Sequence, residues 1–193
     1  MTWIIVAAVA YLFGSIPFGL VISKLFGLGD IRAQGSGNIG ATNVLRTGNK
    51  VAAFLTLVLD AGKGAIAVLV ARALFGEGSA GFAGLFAVIG HIFPLYLGFK
   101  GGKGVATFLG TVLALSFPAG LAACATWLVV ALIGRISSLA ALVTVAAAPV
   151  FTWYFYHMHG AIVVLFLSAL VAYRHGANIA RLRAGTEPKI GRK

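Results

Sequence analysis

Charged side chains are scarce in this chain: 10% of its 193 residues, against 60% hydrophobic ones. Soluble domains carry about 25% charged residues, so a water-soluble globule and a disordered chain are both excluded. A single cysteine, Cys124, leaves no disulfide and no thiolate metal framework within one chain. Acidic residues number four, against 15 lysines and arginines. No basic residue precedes Lys24, so the opening stretch lacks the basic start of a cleaved signal peptide and reads as a retained first span. No internal repeat is visible, which argues against the inverted-repeat layout of many transporters.

What is present is apolar sequence in runs, with a mean hydropathy of +1.01. A bilayer core of about 30 Å takes about 20 residues of helix. Seven runs stand out, near residues 3–22, 51–75, 81–99, 105–117, 120–133, 138–155 and 161–173. They lack the period-two alternation of barrel strands, and in lipid only helices or closed barrels satisfy the backbone. The expected fold is an all-α polytopic transmembrane bundle of about seven spans, forming one domain over 1–193. A five-span arrangement, fusing the fourth run with the fifth and the sixth with the seventh, is the alternative.

With seven spans and the N-terminus outside, the C-terminus faces in and thirteen of the 15 basic residues face the cytoplasm: Lys24, Arg32, Arg46, Lys50, Lys100, Lys103, Arg135, Arg174, Arg181, Arg183, Lys189, Arg192 and Lys193. That asymmetry follows the positive-inside rule. The excess of base is then an orientation signal, with anionic lipid or an anionic substrate as partners, and no nucleic acid is expected. Trp153, Tyr154 and Tyr156 read as an interfacial aromatic belt.

Three polar patches interrupt the runs on this expected cytoplasmic side. The first is Gly35-Ser36-Gly37-Asn38-Ile39-Gly40-Ala41-Thr42-Asn43-Val44-Leu45-Arg46. Glycines let backbone N–H groups turn toward an anion, Asn, Ser and Thr add neutral donors, and Arg46 offers a fork suited to phosphate. Ser36, Gly37, Asn38, Gly40, Thr42, Asn43 and Arg46 are therefore candidate phosphate-binding residues. The patch also spells G-x-G-x-x-G, but a dinucleotide fingerprint needs a strand before it and a βαβ unit around it, and a membrane chain offers neither.

The second patch is Gly90-His91-Ile92-Phe93-Pro94 followed by Phe99-Lys100-Gly101-Gly102-Lys103-Gly104-Val105-Ala106-Thr107. Lys103 sits between glycines before a helix, where an anion is favoured. The spacing of a P-loop fails because Gly104 follows the lysine. His91 reads as a helix-packing residue rather than a general base. The third patch runs from Arg174 to Leu182. If the helix continues, His175, Asn178 and Arg181 share one broad face, either as a site or as an interfacial anchor. Asp60 and Lys63 stand three apart inside a run and are expected to pair. Ser138 starts a run, as an N-cap or as a group within reach of an anion. His157 and His159, without further ligands, do not make a metal site.

These residues resemble one family: the bacterial membrane acyltransferases that move an acyl group from acyl phosphate to glycerol 3-phosphate, the PlsY family. The resemblance rests on the first two patches and on His175, Asn178-Ile179, Arg181-Leu182, Gly185 and Glu187, with Asp60-Ala61-Gly62-Lys63-Gly64 and Ser138-Leu139 as further shared features. The family often has a charged residue between its His and Asn, where this chain has Gly176-Ala177.

The resemblance implies a metal-free, cofactor-free reaction at the inner face of the bacterial cytoplasmic membrane, yielding lysophosphatidic acid and inorganic phosphate. Ser36, Arg46, Asn178 and His175 are assigned to glycerol 3-phosphate. Lys103, the N–H groups of Gly101 and Gly102, and Ser138 are assigned to acyl phosphate, with Gly104 and Arg181 lining the site. Soluble-type glycerolipid acyltransferases use a His with an Asp downstream, and no H-x-x-x-x-D occurs here. The expected proton acceptor is therefore an oxygen of the acyl phosphate itself. A covalent acyl-Ser36 route would need a base beside Ser36. The sequence sets no oligomeric state, and a monomer satisfies it. The competing reading is a small organophosphate permease, which would need a polar path across the bilayer. A lipid-binding scaffold leaves the first patch without a purpose.

Overall fold

The computed structural model describes residues 1–191; Arg192 and Lys193, counted above in the basic tail, lie outside them. The described residues form ten α-helices and no strand. They divide into two compact units, Met1–Thr111 and the residues from Val112 on.

In the first unit α1 (Thr2–Gly14) breaks at Ser15–Pro17 and resumes as α2 (Phe18–Leu25). Proline cannot donate its backbone nitrogen and crowds the preceding turn, so one apolar run becomes two rods. A long loop with a short 3-10 turn (Ile31–Ala33) leads to α3 (Ala41–Arg46) and then to α4 (Lys50–Phe75), which Asn49 caps through its side chain. A tight turn at Gly76 reverses the chain into α5 (Glu77–Ile92), so α4 and α5 run antiparallel. Pro94, a second 3-10 turn (Leu95–Leu97) and the glycine-rich segment 98–104 lead into α6 (Val105–Leu115).

Helix α5 lies between α1 and α4, and the α1–α5 crossing is close because it is built on glycine. A Cβ on Gly14 would collide with the backbone of Ala87, and one on Gly90 with the carbonyl of Tyr11. Ala10, Ala83 and Ala87 complete this small-residue seam. Lipid tails are as apolar as leucine, so membrane helices associate through close packing. The burial pattern agrees: the buried apolar residues are mostly alanine and valine, while Leu132, Ile133 and Phe166 stay exposed.

In the second unit α8 (Ser137–Phe155) lies between α7 (Phe117–Gly134) and α9 (Met158–Arg174), followed by α10 (Gly176–Arg183). Arg135, in the left-handed region at φ 54°, makes the turn between α7 and α8. His157 caps α9, its Nδ1 accepting the Gly160 N–H at 3.0 Å.

All seven apolar runs are helical, in line with a bundle of about seven spans or five, and they differ in length. Five are long and apolar enough to cross a bilayer, or six if α9 and α10 count as one bent span. Helix α6 has 11 residues and so extends only about 16 Å at about 1.5 Å per residue, half the hydrocarbon thickness. The fusion of the sixth and seventh runs does not occur, because the chain turns at His157 and packs α9 against α8. Nor does a helix continue straight through His175: α9 and α10 meet at 62°. The mostly apolar face of α9 gives way there to the basic, polar sequence of α10, which suits an interface better than a span.

Gly90→Leu should open the α1–α5 crossing and cost about 1–3 kcal/mol by overpacking, seen as a fall in the Tm of the detergent-purified protein. Gly62 lies in α4 with open space around it, so Gly62→Ala should leave the Tm unchanged or raise it by about 0.5–1 kcal/mol equivalent.

Candidate active site

The antiparallel run of α4 and α5 brings the first two polar patches to one end of the first unit. A cluster of Ile22, Ile31, Ile39, Val44, Ala52 and Ala53 anchors the first loop there, and Leu97 packs on it from the second.

Within the first loop Asn43 is the organiser. It is 3% exposed. Its amide nitrogen donates to the carbonyls of Ile31 at 2.8 Å and Gln34 at 3.2 Å, and its Oδ1 accepts the Ser36 N–H at 2.9 Å and the Ser36 hydroxyl at 3.3 Å. An asparagine amide has two donors and two acceptor sites, so Asn43 is fully committed inside the protein. Asn43, expected as a phosphate ligand, shapes the loop through these four hydrogen bonds. Gly35 and Gly37 have φ of 55° and 68°, a conformation few other residues adopt. Gly35 lies so close to Asn43 and Arg46 that a Cβ would strike the Asn43 Oδ1. The Ser36 and Arg46 side chains are thereby left on the exposed side of this loop. Gly40 starts α3, Asn38 stands beside it, and Thr42 is half-buried on the first turn.

The second loop is clamped to the end of α5. The Gly101 N–H donates to the Ile92 carbonyl and the Gly102 N–H to the His91 carbonyl, both at 3.1 Å. These two N–H groups, expected to meet an anion, cover carbonyls that a helix end leaves without partners. Gly104 takes φ of 87° just before α6, and Lys103 is half-buried between them.

In the second unit Ser138, Asn178 and Arg181 converge, and they do so on Glu187. Its Oε1 accepts from the Ser138 hydroxyl at 2.7 Å and from Asn178 Nδ2 at 2.6 Å, and its Oε2 accepts from Arg181 Nε at 2.6 Å. Burial opposes the charge on Glu187, yet these three hydrogen bonds and the Arg181 guanidinium hold its carboxyl below the ordinary range. In sequence Glu187 appeared only as the last residue of the third motif, with no contact assigned to it; its further signal was a lone acid in an otherwise basic tail. The segment is further tied down where the Ile190 N–H meets the Arg135 carbonyl at 2.6 Å. His175 is 2% exposed at the α9–α10 bend. Its Nδ1 lies 2.7 Å from the Val171 carbonyl, which can only accept, so Nδ1 carries the proton.

One electrostatic rule covers all four carboxylates. Asp30 pairs with Arg32 at 2.7 Å, Asp60 with Lys63 at 2.8 Å, Glu77 with Arg72 at 2.8 Å and Glu187 with Arg181 at 2.6 Å. The Arg32 guanidinium and N–H bring the Asp30 carboxyl down to about 2. Each carboxylate is paired with a base, so none of the four stands free as a general base.

Comparison with known proteins decides what this scaffold is. The sequence profile of the glycerol-3-phosphate acyltransferases matches residues 4–185. The chain belongs to that family. The glycerol-3-phosphate acyltransferase of Jannaschia sp. (strain CCS1) is 61% identical over 96% of this chain and 92% of its own. That of Dinoroseobacter shibae is 60% identical over 98% of this chain and 93% of its own. Among solved structures, PlsY (YgiH), an integral membrane glycerol 3-phosphate acyltransferase, superposes in its glycerol 3-phosphate form with a TM-score of 0.93 at 41% identity, over 99% of this chain and 96% of that one. Its lysophosphatidic acid form gives 0.91 at 40% identity over the same shares. The family, the fold and the apolar helices together make this a multi-pass membrane protein.

The Glu187 bonds stabilise the tail fully at pH values above the range where an unfolded glutamate titrates, and are lost as pH falls through the lowered folded value. Glu187→Gln should release the tail at neutral pH. Hydrogen bonds to charged groups contribute about 1.5–3 kcal/mol, so trypsin cleavage after Lys189 should speed up about tenfold or more, while the Tm of the helical body stays close to wild type.

Proposed function

We propose that this chain is a glycerol-3-phosphate 1-O-acyltransferase that takes its acyl group from acyl phosphate, at the cytoplasmic face of the bacterial inner membrane. The observation that carries the acyltransferase reading is the 0.93 TM-score at 41% identity, over nearly the full chain, to an enzyme crystallised in its glycerol 3-phosphate form; the acyl-phosphate donor rests on the motif resemblance. The profile match over 4–185 crosses the boundary between the two compact units, which supports treating 1–193 as one working domain. The orientation, N-terminus outside, is supported by the lysines and arginines at the loop ends.

The 1-hydroxyl oxygen of glycerol 3-phosphate attacks the acyl carbonyl carbon. The bond from that carbon to the phosphate oxygen breaks, and the hydroxyl proton passes to an oxygen of the departing phosphate. The products are lysophosphatidic acid and inorganic phosphate. Substrate assistance is favoured because all four carboxylates are paired and because phosphate is already a good leaving group. The protein then supplies position and charge. Arg46 and Ser36 hold glycerol 3-phosphate, with Gly37, Asn38, Gly40 and Thr42 shaping the cradle. The family resemblance assigns His175 and Asn178 to glycerol 3-phosphate as well. Lys103 holds the acyl phosphate and stabilises the charge that develops on it. Glu187 fixes Ser138, Asn178 and Arg181 in place: the Ser138 hydroxyl hydrogen is spent on that carboxylate, while the second Asn178 amide hydrogen and the outer Arg181 N–H groups are positioned for substrate. The apolar surface between lipid-facing helices accepts the acyl tail.

The test is phosphate release by the purified protein in lipid, given acyl phosphate with and without glycerol 3-phosphate. The expected result is release that requires glycerol 3-phosphate and yields lysophosphatidic acid. No release, with labelled glycerol 3-phosphate crossing proteoliposomes instead, would replace the enzyme with a permease. Lys103→Met should lower kcat by about 100-fold or more, the scale on which a single charge-stabilising donor acts. Arg46→Ala should act mainly on the KM for glycerol 3-phosphate. If His175→Ala abolished turnover while both substrates still bound, a protein base would be the better account.

A further inference from the structure

His91 is buried at the last turn of α5, 4% exposed, and touches the Lys103 loop in two ways. Its carbonyl accepts the Gly102 N–H. The ring points its Nε2 edge at Gly102, so close that a Cβ there would strike Nε2 and come within 3.1 Å of Cε1 and 3.2 Å of Cδ2. The other side of the ring faces α4, where Nδ1 is 3.5 Å from Asp60 Oδ1. Asp60 is itself held by Lys63 at 2.8 Å, and the Lys63 ammonium is fixed by the Ile16 carbonyl at 2.8 Å. A continuous set of contacts therefore runs from the break between α1 and α2, through Lys63, Asp60 and His91, to the residue preceding Lys103.

From this geometry we infer that Asp60 and His91 are positioning residues for Lys103: Asp60 orients the imidazole, and the imidazole is the floor on which the Gly101–Gly104 loop rests. Neither touches substrate. The inference rests on the role of Lys103 proposed above. The fit also explains why residue 102 has no side chain. Glycine at 102 is demanded by the ring, since φ there is not in the left-handed region. A displacement of the loop by about 1 Å moves the ammonium off the reacting phosphate, and misplacement on that scale can cost about 100-fold.

The experiment is a double-variant cycle on Gly102→Ala and His91→Ala, read in lipid as KM and kcat for each substrate. Because both changes disturb one contact, the inference expects each to raise the KM for acyl phosphate about tenfold and the double variant to do no worse than His91→Ala alone. The KM for glycerol 3-phosphate should hardly move. Independent effects that multiply to about 100-fold, or a silent Gly102→Ala, overturn it. A variant that removes the anchor without stranding a charge, Asp60→Asn with Lys63→Met, should raise the KM for acyl phosphate severalfold. Loss of Tm with both KM values unchanged would make the cluster purely structural and also overturn the inference. A readout without turnover keeps the two readings apart. Lys103 labelling by an amine reagent, followed by peptide mass spectrometry, should change severalfold in Gly102→Ala and no further in the double variant. Unchanged labelling across the set refutes the positioning role. A wild-type protein that labels as expected but transfers no acyl group refutes only the donor assignment.

Discussion

An ammonium group buried among apolar helices must be paired on every side that water would otherwise occupy. Lys63, 1% exposed, meets that demand with the Asp60 carboxylate, the Ile16 carbonyl and the face of the Phe18 ring 5.6 Å away. Each partner comes from a different structural necessity. Asp60 is one helical turn back on α4. Ile16 belongs to the break that Pro17 forces, where backbone carbonyls lack helical partners. Phe18 begins α2. The pair thus stabilises the interruption of the first span and ties it to α4. Through His91 it also ties α4 to the end of α5 and the loop beyond.

Around this cluster the first unit is organised by backbone proximity more than by large side chains. Glycine at 14 and 90 lets α1 and α5 touch, and glycine at 102 lets the Lys103 loop lie on a histidine ring. The polar loop that follows α2 is anchored by the buried Ile31, Ile39 and Val44, and its course is set by one saturated asparagine, Asn43. The second unit follows the same logic with a carboxylate at the centre: Glu187 gathers a hydroxyl, an amide and a guanidinium that lie up to 49 residues from it in the chain. A protein built to bind phosphate cannot leave carboxylates loose near its substrates. Here each of the four is neutralised by a basic partner, and each of those near a proposed site residue also orders it.

Much of this was legible in advance. The seven apolar runs, the Asp60–Lys63 pair at i, i+3 and the basic, glycine-rich patches follow from local spacing, and the structure reproduces them. The span count was less legible, because apolarity alone does not separate an 11-residue helix from a membrane crossing when a proline follows it. The continuous helix expected through His175 failed for a related reason: helical spacing says which residues share a face, but not where the axis bends.

Chain composition and local periodicity alone determined that this protein is helical, lies in a membrane and collects cationic, flexible-backbone segments at the ends of its helices. Lipid allows few other solutions for a chain so poor in charge. Tertiary structure decided which polar groups remain available to a substrate. Asn43 and the N–H groups of Gly101 and Gly102 looked like anion ligands in sequence, yet they hydrogen-bond within the fold. Glu187 was visible in sequence only as part of a motif, yet three other side chains depend on it. Hydrogen-bonding capacity is a property of residue type, but whether it is already satisfied depends on neighbours that only folding brings within 3 Å.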